Sequence, residues 1–240
     1  MKNLIYAAVI LALAACAPAN RDATATDGGE TATATAAAAT TSSSMSDMKV
    51  PPPAAAPKSS EENRPMSYYQ DKVAELHTSA GEIDIRFFPD VAPNHVKNFI
   101  DLAEKGFYNG TKFHRVIPGF MIQGGDPNTI SGDPSTWGGG GSDKKVAAEF
   151  NSVKHKRGIV SMARPGDPNG ASSQFFIMVN DYPSLDGQYS VFGQVTKGMD
   201  VADKIVGART GQQDRPLQPT SIEKIVIREA TAGEKGPTPK

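Results

Sequence analysis

The chain has 240 residues, with 25 Lys and Arg against 26 Asp and Glu, so its formal net charge is -1. A nearly neutral chain with scattered basic residues offers no electrostatic basis for binding nucleic acid. A single cysteine excludes an intrachain disulfide framework, so packing has to stabilise the fold. The four histidines are widely spaced and have no partner cysteines, which argues against a zinc site.

The N-terminus has the pattern of an export signal. Met1-Lys2-Asn3 precedes an apolar run of about twelve residues, 4–15, which is shorter than the roughly 20 residues that span a bilayer. The run ends in Leu13-Ala14-Ala15-Cys16, which resembles the lipobox of bacterial lipoproteins. That resemblance implies a signal peptide over 1–15 and a lipid on Cys16, whereas an ordinary cleaved signal is the alternative. We therefore expect an exported protein anchored to a bacterial membrane by Cys16. In the lipoprotein family, Ala17 after the cysteine does not resemble an inner-membrane retention signal, so the resemblance favours the periplasmic side of the outer membrane.

Residues 16–66 are expected to form a disordered linker behind the lipidated cysteine. They are rich in Ala, Thr, Ser and Pro, and no aromatic residue occurs between 17 and 63. Such a segment cannot bury enough apolar surface to offset its chain entropy. A flexible coil of about 50 residues spans roughly 40 Å, so the linker would act as a tether. We expect one folded domain over 67–229 and a frayed tail over 230–240.

Alternating and helical patterns predict ten elements in the domain. Strands are predicted at 73–78 and 82–87, followed by a helix that begins at Pro93 and ends before Gly106. Further strands are predicted at 112–116, 120–124, 159–162, 174–179 and 191–195, then a helix at 199–206 and a strand at 222–228. Eight strands and two helices predict a mainly β fold, a closed eight-stranded antiparallel barrel capped by two α-helices. From the pattern alone, a β-sandwich ranks nearly as high.

The segment 113–126, FHRVIPGFMIQGGD, is the most informative stretch. It places Arg115 and Gln123 in an apolar run that Pro118-Gly119 breaks into two short strands. A cation and an amide beside an apolar pocket suit the binding of a peptide bond. The segment resembles the core motif of the cyclophilins, which are peptidyl-prolyl cis-trans isomerases. Matches at 158–164 (GIVSMAR), 172–178 (SSQFFIM) and 185–193 (LDGQYSVFG) extend the resemblance over the whole domain.

The resemblance implies a groove for proline-containing segments of exported proteins and needs neither metal nor other cofactor. Its implied catalytic residues are Arg115, Phe120 and Gln123. The Arg115 guanidinium would be directed at the prolyl nitrogen, and Gln123 would orient the guanidinium. The implied substrate-binding residues are Met121, Ala163, Arg164, Gln174, Phe176, Leu185 and Tyr189. We expect a monomer that assists folding by isomerisation. A non-catalytic chaperone or scaffold that grips proline-containing segments is the alternative function.

Departures from the family pattern limit what the groove should bind. Many members carry Trp where this chain has Ser184, and His where it has Tyr189. The missing tryptophan predicts weak sensitivity to cyclosporin with activity retained. Pro165 lies in a loop of altered length, which leaves the backbone contacts at Arg164 open. The basic cluster 154–157 (KHKR) is interpreted as a solvated turn, and the glycines 138–141 as a flexible surface loop.

Overall fold

The computed structural model describes residues 64–239, so the predicted signal peptide, Cys16 and most of the linker lie outside it. The domain is mainly β, as predicted, because eight strands pair antiparallel in one sheet with the order β3-β4-β6-β5-β7-β2-β1-β8. The strands are β1 (Lys72–Thr78), β2 (Gly81–Phe87), β3 (Arg115–Ile117), β4 (Met121–Gly124), β5 (Ile159–Met162), β6 (Phe175–Met178), β7 (Val191–Lys197) and β8 (Ile222–Glu229).

Three α-helices accompany the sheet: α1 (Pro93–Glu104), α2 (Asn128–Ser131) and α3 (Met199–Val206). The two longer helices are the predicted ones. Short 3-10 turns lie at Met66–Tyr69, Pro134–Thr136, Pro183–Leu185 and Gln212–Asp214. Within residues 64–239 we find no helix with the length and apolar character needed to cross a membrane.

The predicted closed barrel is not established, because the strand ladder leaves the sheet open and curled, with β3 and β8 at its edges. The physical reason lies in β3, which begins at Arg115 rather than at residue 112. Residues before β3 instead bond irregularly to the start of β8 and to the loop before it: Phe113 N donates to Thr220 O at 3.0 Å, and Ile222 N donates to Thr111 O at 2.7 Å. The two edges are therefore joined by loop backbone and not by a regular ladder.

The main core lies between the inner face of the sheet and the helices. Phe99 on α1 is fully buried, and its ring contacts the rings of Tyr108, Phe175 and Phe192 at centroid distances of 4.9, 5.3 and 5.4 Å. Aromatic pairs at such distances add attraction to their apolar burial. The helical spacing of apolar residues that predicted α1 is thus the face that covers the sheet.

Sequence-distant contacts set where both long helices begin. Ala92 at the N-cap of α1 provides no side-chain bond, and Glu149 caps the helix instead by accepting from Asn94 N and His95 N, both at 3.0 Å. Helix α3 follows Gly198, whose φ is +89° and where a Cβ would lie 2.1 Å from Glu82 O. Only glycine fits this close approach in a left-handed conformation.

The C-terminal segment was expected to fray; in this structure it bonds side chains of β2 and β8 and Asp71, just before β1. Pro237 O accepts from Arg86 Nη2 at 2.6 Å, and Glu234 pairs with Arg228 at 2.8 Å. This ion pair lowers the pKa of Glu234 to about 2. At the other end of the domain, Tyr69 is fully buried in the core. Residues beyond position 229 thus contribute contacts to the domain.

Candidate active site

Strand register places the central predicted residues in one row. Arg115 on β3 lies opposite Gln123 on β4, Gln123 lies opposite Phe176 on β6, and Phe176 lies opposite Ser161 on β5. Opposite residues of antiparallel strands project from the same face of a sheet. The side chains of Arg115, Gln123 and Phe176 therefore share the outer face, away from the main core.

A second apolar cluster underlies this row. In the adjacent row Ile117, Met121 and Met178 lie opposite one another, also on the outer face. The buried members of the cluster are Phe88, Met121, Val153, Ile159, Phe176, Met178 and Val191. Half-buried members at its rim are Val91, Ile117, Phe120, Ala163, Leu185 and Tyr189. Six of the ten predicted groove residues thus meet in one apolar surface separate from the main core.

Arg115 is the cation beside this surface, with 38% of its side chain exposed. Its Nε donates to Asp214 Oδ2 at 3.3 Å. We expected Gln123 to orient the guanidinium, and Gln123 does lie opposite Arg115. Its amide Nε2, however, donates to Gln174 Oε1 at 2.9 Å. The carboxylate of Asp214 is therefore the group that holds Arg115 in this structure.

Gln174 joins the row to the glycine-rich loop. Its Nε2 donates to Gly138 O at 3.0 Å and to Gly140 O at 2.7 Å, so both amide donor hydrogens are directed at the loop. The buried carboxylate of Asp126 accepts from the backbone of both glycines. A Cβ at Gly140 would lie 2.1 Å from Asp126 Oδ1, which explains glycine there. The loop is an anchored wall of the site.

Phe120 and Tyr182 form an aromatic pair at the rim. Their ring centroids are 4.4 Å apart, and Tyr182 is 42% exposed. Tyr182 lies just before the turn Pro183–Leu185, in which Ser184 is exposed. Tyr182 therefore supplies an aromatic ring beside the position where many cyclophilins have the tryptophan.

Arg164 and Tyr189 close the opposite end of the row. The Arg164 guanidinium lies 4.9 Å from the Tyr189 ring centroid, and its Nη2 donates to Gln188 O at 3.2 Å. Tyr189 packs edge-on against Phe176 at 5.6 Å. Ala163 N donates to Gln174 O at 2.9 Å, so this amide is not free to bind a peptide in this conformation. Arg164 thus fixes the Tyr189 side of the groove through its side chain.

His155 corrects the interpretation of 154–157 as a fully solvated turn. Its ring is buried and stacks on Phe176 at 6.3 Å, with Nε2 3.0 Å from Ser161 Oγ and Nδ1 3.2 Å from Asp186 Oδ1. Burial lowers the pKa of His155, although Asp186 opposes that shift. A neutral histidine therefore supports the aromatic floor, while Lys154 is exposed as expected.

Sequence reasoning missed three residues next to the row: His155, Tyr182 and Asp214. A histidine between lysines indicates a polar turn, and no local pattern distinguishes a buried one. Near Tyr182, comparison with the family pattern drew attention only to Ser184, which replaces a tryptophan, and not to Tyr182 itself. Asp214 is 99 residues from Arg115 along the chain, so no local spacing could connect them.

A carboxylate cluster lies elsewhere, on β1 and β2. Among the described residues, Glu75, Glu82 and Asp84 have oxygens within 4.8 Å of one another, close enough to hold a metal ion. Arg228 already bonds Asp84 at 3.0 Å, and Lys197 bonds Glu82 at 2.8 Å. These cations neutralise much of the cluster. It lies on strands that do not carry the row described above.

The fold and the site define a mainly β protein with a second apolar cluster on the outer face of its sheet and the Arg115 guanidinium beside it. Comparison with known proteins agrees with this class. Residues 73–227 match the family described as cyclophilin type peptidyl-prolyl cis-trans isomerase/CLD. The chain belongs to this cyclophilin family.

Named relatives and solved structures cover nearly the same region. Peptidyl-prolyl cis-trans isomerase CYP18-1 of Arabidopsis thaliana is 44% identical over 63% of this chain and 93% of its own length. Peptidyl-prolyl cis-trans isomerase B of Escherichia coli is 42% identical over 64% and 98%. A Cryptosporidium parvum cyclophilin crystallised in the presence of the dipeptide Ala-Pro is 32% identical, with a TM-score of 0.60 over 65% of this chain and 99% of that one.

Proposed function

We propose that this protein is a peptidyl-prolyl cis-trans isomerase that acts on exported proteins as they fold. The observation that carries the proposal is the row of Arg115, Gln123 and Phe176 on the outer face of the sheet, above a second apolar cluster. Membership of the cyclophilin family supports the activity, and relatives at 44% identity bear the name of this isomerase.

The chemistry needs only rotation about one bond. Resonance gives the peptide bond a barrier of about 18–20 kcal/mol, so prolyl isomerisation without a catalyst takes tens of seconds or longer. A guanidinium directed at the prolyl nitrogen favours the lone pair localised there and weakens the resonance. The twisted amide is then bound more tightly than either planar isomer. Arginine suits this role because it stays charged in an apolar groove and carries several donors.

An isomerisation assay on the full-length chain tests the activity. We expect the parent protein to accelerate cis-trans exchange of a proline peptide and Arg115→Ala to lose about 100-fold or more in kcat/KM, as for removal of a transition-state donor. Arg209→Ala is the matched control because Arg209 is exposed and outside the row. If the peptide exchanged no faster with the parent protein than it does spontaneously, the proposal would be overturned.

We further propose that the isomerase domain is lipid-anchored through Cys16 and reaches its substrates on the linker of 16–66. The support is the sequence pattern of 1–16 and the composition of the linker. Lipid chains contribute about 0.8 kcal/mol per buried methylene, enough in multiple copies to hold the protein on a membrane. Cys16→Ala should move the protein from the membrane fraction to the soluble fraction. Continued partition with membranes would count against lipidation.

A further inference from the structure

The 3-10 turn Gln212–Asp214 brings a carboxylate to the catalytic guanidinium. Asp214 Oδ2 accepts from Arg115 Nε at 3.3 Å. Within residues 64–239 this is the only hydrogen bond of the Arg115 guanidinium. The two terminal Nη groups therefore have no protein acceptor in that part of the chain, and they are available to a bound peptide.

The backbone of this turn is in an unusual conformation. Gln213 and Asp214 have φ values of 59° and 56°, in the left-handed region, and neither is glycine. Such residues persist where surrounding contacts determine the conformation, and they concentrate at functional sites. Here Gly211 N donates to Arg215 O at 2.8 Å, and Arg215 Nη2 donates to Gln213 Oε1 at 2.9 Å. These bonds fix the turn beside β3.

Stability does not explain the arrangement. Asp214 is 47% exposed and Arg115 is 38% exposed, and exposed ion pairs contribute little to folding. The stability of this exposed pair therefore does not account for two consecutive left-handed residues. Orientation of the guanidinium accounts for them better, because the guanidinium is planar. Fixing Nε on one edge sets the direction in which the two Nη groups point.

We propose that Asp214 is a positioning residue for prolyl isomerisation: it holds the Arg115 guanidinium by Nε so that the Nη groups face the substrate. The proposal rests on the isomerase function proposed above. Asp214 itself does not touch the reacting amide. Its contribution is to restrict the motion of the guanidinium before the substrate arrives, which raises the fraction of molecules in the reactive geometry.

The test compares Asp214→Asn with Asp200→Asn in the full-length chain. Asp214→Asn removes the carboxylate charge while keeping the side-chain shape in a conformation that asparagine tolerates. We expect kcat to fall about 3- to 10-fold and KM to change by less than about twofold, because transition-state geometry and not ground-state binding is affected. Asp200→Asn makes the same chemical change at an exposed aspartate on α3, outside the row and the turn, so it should retain the parent kcat.

Two further measurements separate positioning from a merely structural role. In an Arg115→Ala background, Asp214→Asn should change kcat/KM by less than about 1.5-fold, since it acts only through the arginine. In ¹H–¹⁵N spectra, the Arg115 Nε–H resonance should shift in Asp214→Asn and stay in place in Asp200→Asn.

Three results would overturn the positioning role alone. They are an unchanged kcat in Asp214→Asn, an equal loss of kcat/KM from this substitution with and without Arg115, and an Arg115 Nε–H resonance that does not move. A parent protein without isomerase activity would instead overturn the proposed function, so the two failures are distinguishable.

Discussion

At the residue scale, the site depends on a guanidinium held at the border of an apolar surface. Arg115 lies opposite Gln123, but it bonds Asp214. Gln123 in turn bonds Gln174, which is tied to the glycine-rich loop. The two amides therefore form a rigid wall, and the carboxylate directs the cation.

Tyr182 is expected to contribute to substrate binding. Its ring packs on Phe120 at 4.4 Å and Tyr182 is 42% exposed, so a bound proline ring would contact the pair. Tyr182→Ala should raise KM about two- to fivefold, as expected for losing part of an aromatic contact, and should change kcat little. Initial-rate measurements over a range of peptide concentrations would show this. Tyr68→Ala would also remove a tyrosine away from the row, but it is not a matched control because it would break the bond from Tyr68 to Glu104. Val226→Ala removes an exposed apolar side chain on β8 and should leave KM unchanged.

Ser184 should limit inhibition by cyclosporin. The position is exposed in the turn Pro183–Leu185, beside the rim of the groove. Ser184→Trp would add a large apolar ring with an N–H donor there. We expect this variant to be inhibited at lower cyclosporin concentrations than the parent, with kcat within about twofold of it. Equal inhibition of the two proteins would show that another residue sets the sensitivity.

At the element scale, local patterns predicted the strands and helices well. The predicted bounds of β5 and α3 agree with the structure. The predicted start of β3 at residue 112 was wrong. Residues 112–114 alternate as a strand, but Phe113 N donates to Thr220 O in the loop before β8, whereas His114 N donates to Gln123 O on β4. The open edge that results could not be read from periodicity, since it depends on contacts with residues before β8 that are remote in sequence.

The residue that caps the N-terminus of α1 was also not predicted from the sequence. Glu149 accepts from two backbone N–H groups at the start of the helix and from Asn94 Nδ2 at 2.7 Å. Glu149→Gln loses the charge that favours a helix N-terminus and one acceptor oxygen, so the free energy of unfolding should fall by about 1–2 kcal/mol. Denaturant unfolding would measure it. Glu223→Gln on the exposed face of β8 is the control, and equal stability of the two variants would contradict the capping role.

At the scale of the whole molecule, buried histidines couple stability to pH. Burial is the largest influence on His95, His114 and His155 and lowers the pKa of each below the ordinary 6.5. The unfolded chain therefore binds protons below about pH 6.5 that the folded protein excludes. The stabilisation is complete above that pH and is lost as pH falls from about 6.5 toward the lowered values.

Unfolding by guanidinium at about pH 7.5 and about pH 5.5 would measure the effect. The free energy of unfolding should fall by at most about 1.4 kcal/mol per pH unit for each histidine. Stability that is constant or rises as pH falls through this range would contradict the assignment of neutral, buried histidines. Because isomerisation needs no proton transfer, kcat should stay level wherever the protein is folded.

In the proposed mechanism, Arg115 accelerates rotation of the prolyl bond and does more than bind the peptide. Exchange spectroscopy by NMR on one proline peptide measures its affinity and its isomerisation rate in the same sample. We expect Arg115→Ala to keep the peptide dissociation constant within about fivefold of the parent value while its catalysed exchange falls about 100-fold or more. Parent-like exchange in Arg115→Ala, or binding without accelerated exchange in the parent protein, would contradict the account.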